Sequence, residues 1–230
     1  MKNFKIILFV SIFVSSSLFA IGGFGLQLGQ SMFSVAESSP ATGSQFVTLT
    51  NSSFENSFNL GGYLYIDAIP FIDLEVDVNV RGNTYDINFK NDFGPMDPIK
   101  FGWLSTDVYF TLRKKVFGLS IPFLAGAKIH AGGGFNTHLT TPIASVEMIE
   151  DLLGGDLLTG NVDNLDKNLE DFLTDKDNYI EASGLHIQVG FQFKLLILDT
   201  FLNYRYTIVE DVVPGASGFG SLKLRIGIGI

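Results

Sequence analysis

The chain has 230 residues, 24 acids against 15 bases and a formal net charge of -9, which excludes nucleic-acid binding through a basic surface. Only 17% of residues are charged, mean hydropathy is +0.29, and 22 Phe, 7 Tyr and 25 Gly argue for an ordered, apolar, aromatic chain rather than a disordered one. The lack of cysteine excludes disulfides, thiolate zinc sites, thiol catalysis and an N-terminal lipidated cysteine.

The first element is a secretory signal over residues 1–20. Lys2 and Lys5 form a positive start, residues 6–14 are mostly apolar, and a run of serines leads to Ala20, after which cleavage is expected. The apolar run is shorter than the roughly 20 residues a spanning helix needs, so the segment reads as an export signal rather than an anchor. The mature chain, 21–230, is expected as one domain outside the cytoplasm.

Beyond the signal the period is two, the mark of strands with one apolar face. In chain order, Phe24, Leu26 and Leu28 alternate with Gly25, Gln27 and Gly29. Phe58, Leu60, Leu64 and Ile66 alternate with Asn59, Gly61, Tyr63, Tyr65 and Asp67. Ile72, Leu74, Val76, Val78 and Val80 oppose Asp73, Glu75, Asp77, Asn79 and Arg81. Leu104, Val108, Phe110 and Leu112 oppose Ser105, Asp107, Tyr109, Thr111 and Arg113. Ile121, Phe123, Ala125, Ala127 and Ile129 oppose Gly126, Lys128 and His130. Leu185, Ile187, Val189, Phe191 and Phe193 oppose His186, Gln188, Gly190, Gln192 and Lys194. Leu198, Leu202, Tyr204, Tyr206 and Ile208 oppose Asp199, Asn203 and Arg205. Leu222, Leu224, Ile226, Ile228 and Ile230 oppose Ser221, Lys223, Arg225, Gly227 and Gly229.

These eight segments, each about ten residues long, suit strands that cross a bilayer at a tilt of roughly 45°. Their connections alternate. Short turns are expected at 69–70, 114–118 and 195–196, and long loops at 31–57, 82–98, 132–179 and 209–218. The expected fold is therefore an all-β, eight-stranded antiparallel up-and-down transmembrane barrel with turns at one end and loops at the other.

The export signal, dyad strands and loop alternation make residues 21–230 resemble the small bacterial outer-membrane barrels of the OmpX and OmpA-barrel type. The resemblance is one of architecture. It implies an outer-membrane location, contact with outer-membrane lipids and lipopolysaccharide, and insertion by the barrel-assembly machinery. Such barrels usually finish on an aromatic residue that the insertion machinery reads, whereas this chain finishes on alternating Ile and Gly from Ile226 to Ile230.

Which face points inward decides the function. A lipocalin-like carrier would turn the apolar face inward around an apolar ligand. Eight strands enclose a space that side chains nearly fill, and the large apolar residues of all eight would overfill it. The polar face also carries a nearly balanced set: Asp67, Asp73, Glu75, Asp77, Asp107 and Asp199 against Arg81, Arg113, Lys128, Lys194, Arg205, Lys223 and Arg225. Buried charges need partners, so a lumen network of ion pairs, joined by His186 as a hydrogen-bonding group, is expected and an open pore is not.

Within the connection 132–179, Val162, Leu165, Leu169, Phe172 and Leu173 recur at helical spacing, and Ser145 is a candidate N-cap for an earlier helix over 145–153. Their apolar faces suit the barrel mouth, a second protomer or lipopolysaccharide acyl chains. This stretch carries ten acids against Lys167 and Lys176, which leaves 14 acids and 13 bases for the remainder, so the acidity belongs to one loop and is suited to a surface partner. Asp175-Lys176-Asp177 lacks the glycine and glutamate spacing of a calcium loop, and no metal or cofactor is expected. Gly132-Gly133-Gly134 reads as the bend where a strand ends. That places His138 at the outer rim, where some lipid-modifying barrel enzymes carry histidines, but its neighbours are threonines and no carboxylate partner is evident. A non-enzymatic barrel is the leading expectation, with a rim-active lipid-modifying enzyme and a soluble carrier as alternatives.

Overall fold

The computed structural model describes residues 22–42, 48–67, 72–91, 94–95, 97–121, 124–155 and 165–229. The expected signal, the turn at 69–70, Val162 and the terminal Ile230 lie outside the described residues. Eight strands carry the alternation: β1 (Gly22–Val35), β2 (Phe54–Ile66), β3 (Asp73–Asn91), β4 (Ile99–Ile121), β5 (Ala125–Thr140), β6 (Ile180–Leu195), β7 (Leu198–Val213) and β8 (Ala216–Gly229).

Each strand pairs antiparallel with its chain neighbours, and β1 pairs with β8 from Gly23↔Gly229 to Met32↔Gly220. The sheet therefore closes on itself and has no free side along its closed length. A short strand, Thr48–Asn51, adds to the loop end of β3 through Thr48↔Lys90 to Asn51↔Ile87.

The polar face turns inward. Along β8, Ser221, Lys223 and Arg225 are buried while Leu222, Leu224, Ile226 and Ile228 are exposed. Along β6, His186, Gln188 and Gln192 are buried while Leu185 to Phe193 show their apolar members outside. A carrier with an apolar interior would need the opposite parity, so the lipocalin alternative is overturned by the orientation of every strand.

The strands outrun their expected length of about ten residues. They span from 13 residues in β2 to 23 in β4. At the loop end of β3 the alternation reverses in character instead of ending: Tyr85, Ile87 and Phe89 turn inward into an apolar cluster while Thr84 and Lys90 stay exposed, and the backbone pairing continues. Much of the expected loop 82–98 is thus a paired extension of β3 and β4 that reaches Ile87↔Ile99. The expected loop 209–218 reduces to a tight turn after Val213↔Ala216, where Gly215 takes φ +76°. At the other end, β4 runs through the expected turn 114–118 across a bulge between Lys115 and Phe117 and continues to Ile121.

The glycine run is also placed differently. Residues 132–134 sit in the middle of β5, and a Cβ on Gly134 would stand 1.9 Å from the Phe110 carbonyl oxygen. Close approach of β4, rather than a strand end, explains that glycine. The loop accordingly begins at 141, not 132.

Two helices follow, α1 (Val146–Leu153) and α2 (Leu165–Thr174). Ser145 caps α1 as expected, its hydroxyl accepting from the Met148 backbone N–H at 3.1 Å. The helix is amphipathic, and Met148 and Leu152 are its buried members. They join Leu49, Phe54, Tyr85, Ile87, Trp103, Val209, Val212 and Phe219 in one apolar cluster that stoppers the loop end of the barrel. Leu169 and Phe172 of α2 pack against its margin. Of the three partners that suit these helices, the barrel mouth is the one the fold uses.

Candidate functional site

The interior below this stopper is where the charged residues converge. β3 contributes Glu75 and Asp77, β7 Arg205, β8 Arg225 and β4 Arg113, because each occupies an inward parity position at a similar height in the tilted sheet. Arg225 holds both carboxylates, with Nη1 2.9 Å from Glu75 and Nη2 2.7 Å from Asp77. Arg205 pairs with Asp77 and lies 3.5 Å from Glu75. Arg113 reaches Glu75 at 3.2 Å and Asp67 at 2.9 Å, with Asp73 at 3.6 Å. Nearer the loop end Arg81 pairs with Asp107.

Neutral side chains complete these contacts. Gln188 donates to Glu75 at 2.8 Å and accepts from Arg205 Nε at 2.9 Å. Gln27 accepts from Arg225 Nε at 2.8 Å and donates to Asn79, which itself donates to Asp107. His186 Nε2 meets the Thr111 hydroxyl at 2.9 Å. A charge in a water-poor interior is tolerated when it is both paired and hydrogen-bonded, and these carboxylates and guanidinium groups meet that condition.

Every lumen arginine also lies over an aromatic ring. Arg205 stands 4.0 Å above Tyr109, Arg113 4.4 Å above Tyr65, Arg81 4.5 Å above Phe219 and Arg225 5.1 Å above Tyr63. The planar guanidinium suits both contacts at once, a carboxylate in its plane and a ring on its face. Sequence reasoning missed this stacking, although the inward parity of Tyr63, Tyr65 and Tyr109 was its visible signal.

Four expected members stand outside the ion pairs. Asp199 is buried but accepts from the Tyr65 hydroxyl and from Gln192 Nε2 at 2.8 Å instead of a cation. Lys194 donates to the Gly229 carbonyl at 3.2 Å, and half-buried Lys128 acts on Asp73 only through space. Lys223 is the anomaly. It is 3% exposed, its ammonium has no hydrogen-bond acceptor among the described residues, and it stands 5.1 Å from the centre of the Tyr109 ring. Replacing Lys223 with methionine, similar in length and free of charge, is expected to stabilise the barrel by about 1–3 kcal/mol, read as a higher urea midpoint.

The rim histidine is relocated. His138 lies inside β5, faces the lumen at 3% exposure and contacts Asn136 Oδ1 at 2.8 Å. The Tyr109 and Phe219 rings pack edge-on against its imidazole. It faces the barrel interior, so the position that motivated an enzymatic reading is not a rim position.

Comparison with known proteins gives a likeness of architecture. No family model matches the chain, and no curated protein does. Among solved structures it is similar to the N-terminal β-barrel domain of Pseudomonas aeruginosa OprF, at 8% identity and a TM-score of 0.46, covering 92% of this chain and 99% of that one. It is similar also to P. aeruginosa outer membrane protein OprG, at 10% identity and a TM-score of 0.44, covering 92% and 95%. A third is the attachment invasion locus protein Ail of Yersinia pestis, in complex with the heparin analogue sucrose octasulfate, at 10% identity and a TM-score of 0.41, covering 91% and 99%.

Proposed function

We propose that this protein is a non-enzymatic outer-membrane barrel whose plugged interior makes it a structural or surface-interaction element rather than a pore. One observation carries the reading: the barrel is inverted relative to a water-soluble one. Arg225, Arg205, Glu75 and Asp77 are sealed inside, while Leu26, Phe58, Phe191 and Ile226 stand about half or more exposed on the outer wall. In water such a belt would aggregate; in a bilayer acyl chains cover it, and the closed pairing of the eight strands satisfies their backbone groups among the described residues. Ten residues at about 3.3 Å rise and a tilt near 45° climb about 23 Å, the height of the apolar belt of an outer-membrane barrel.

Two barriers in series, the charge network and the apolar stopper, leave no route for general solute diffusion. Outer-membrane lipids, lipopolysaccharide and the barrel-assembly machinery are the partners this reading requires, and the acidic loop is the surface offered to a partner outside the cell. The test is extraction and gel migration. The protein should leave the membrane fraction only with detergent and should run faster unboiled than boiled. Recovery in aqueous buffer without detergent would overturn the reading.

A further inference from the structure

Between the apolar stopper and the layer of Glu75 and Asp77, the lumen holds more donors than it pairs. Among the described residues five cations are buried, Arg81, Arg113, Arg205, Lys223 and Arg225, against four carboxylates, Glu75, Asp77, Asp107 and Asp199, an excess of one positive charge. The excess falls at Lys223. It faces Asp107 and Asp77 as well as Arg205 and Arg225, but Asp107 is occupied by Arg81 and Asn79, and the two Asp77 oxygens by Arg225 and Arg205. Three more buried nitrogens in this part of the lumen have no acceptor among the described residues: Arg205 Nη1, Arg81 Nη1 and Asn136 Nδ2. All four groups gather around one side chain, Tyr109. Arg205 Cζ lies 4.0 Å and Lys223 Nζ 5.1 Å from its ring centre, Arg81 Nη2 lies 3.4 Å from its hydroxyl, and Asn136 is its register partner on β5. The imidazoles of His138 and His186 pack edge-on against the same ring and wall the space.

Ammonium, guanidinium and amide nitrogens donate hydrogen bonds and accept none. Water beside them would bring two further donors and leave the extra positive charge uncompensated. A small monovalent anion answers both demands, since it accepts from every side, donates nothing and cancels one charge. Multiply charged oxyanions would overshoot the single excess. We propose that the barrel encloses one halide ion, chloride in ordinary salt, held by Lys223 Nζ and the unpaired N–H groups of Arg205, Arg81 and Asn136. With the stopper above and the ion pairs below, the ion is taken up as the barrel closes and becomes part of the folded structure. The plugged-barrel reading stands beside it, because a trapped ion is not a conducted one.

The test is urea unfolding of the full chain refolded in phospholipid vesicles, with chloride varied against isethionate at constant ionic strength. One ion released per unfolded barrel makes the folded-to-unfolded ratio rise about tenfold for each tenfold rise in chloride above the dissociation constant. Lys223→Met should abolish that dependence and keep the heat-dependent gel shift. Lys115→Met, which removes an exposed lysine, should retain the full dependence. The stabilisation expected from Lys223→Met is then largest in isethionate and shrinks as chloride rises, because the parent chain alone gains from the ion. A parent chain indifferent to chloride overturns the site and leaves water or an uncharged amine at Lys223. Equal chloride dependence in Lys223→Met and the parent chain places the ion elsewhere and overturns it too.

Discussion

Arg225→Ala should destabilise the barrel by about 3–5 kcal/mol, because it strips the shared cation from two buried carboxylates. Arg225 is fully enclosed, and its guanidinium holds Glu75, Asp77 and Gln27 together across strands β3, β8 and β1. Without it Asp77 keeps Arg205 and Glu75 keeps Arg113 at 3.2 Å, so the loss is partial rather than complete. The measurement is urea unfolding in phospholipid vesicles, followed by the fluorescence of Trp103, the chain's one tryptophan. A double variant, Asp77→Asn with Arg225→Gln, should lose clearly less than the sum of its parts, since each change removes the charge that the other leaves stranded. Additive losses would mean that the two groups act independently, against the direct contact of Arg225 Nη2 with Asp77 at 2.7 Å.

Trp103→Ala should cost a similar amount, about 3–5 kcal/mol, through an entirely different mechanism. Its indole is 1% exposed and fills the top of the lumen, 5.3 Å edge-on from Phe33 and 6.0 Å from Phe54. Truncation leaves a cavity in the apolar stopper while the arginine network below keeps every partner. Circular dichroism must follow the unfolding because the fluorophore is gone. Proteolysis offers the discriminating readout. Cleavage within α1 should rise sharply in Trp103→Ala, since Met148 and Leu152 lose the cluster that seats them, and should stay near the parent rate in Arg225→Ala. Equal protection of α1 in both variants would show that the helix is held by something other than the stopper.

The sequence disclosed the barrel because bilayer and lumen impose opposite demands on alternate residues, and β8 records them without a fault from Ser221 to Ile228. It disclosed the helix start at Ser145 because capping is a local interaction. Strand length was hidden because the inward face changes from polar to apolar above Arg81, where Tyr85 and Ile87 join the stopper while the pairing runs on to Ile87 with Ile99. The same blindness put His138 at a rim: three consecutive glycines look like a chain break until the neighbouring carbonyl of Phe110 is seen pressing on Gly134. The pairing of charges was legible only as a balance of signs. Asp199 takes a tyrosine and Lys223 takes a ring face because the height of each residue in a tilted sheet, which a linear pattern does not reveal, decides what lies opposite. The stopper was the least legible feature, assembled from Leu49, Trp103, Met148 and Val212 out of four separate stretches of chain.

The seam between β1 and β8 has a consequence for how the molecule comes into being. Gly23 lies beside Gly229, and Gln27 binds a guanidinium 198 positions away. The first strand cannot be satisfied until the last has been synthesised, so no native intermediate with a closed edge exists during translation or transit. Such long-range closure makes folding slow and leaves the unpaired strands prone to aggregation while they wait. A chain truncated before its final fourteen-residue strand would leave β1 and β7 each with an unpaired edge, an open sheet rather than a shorter closed barrel.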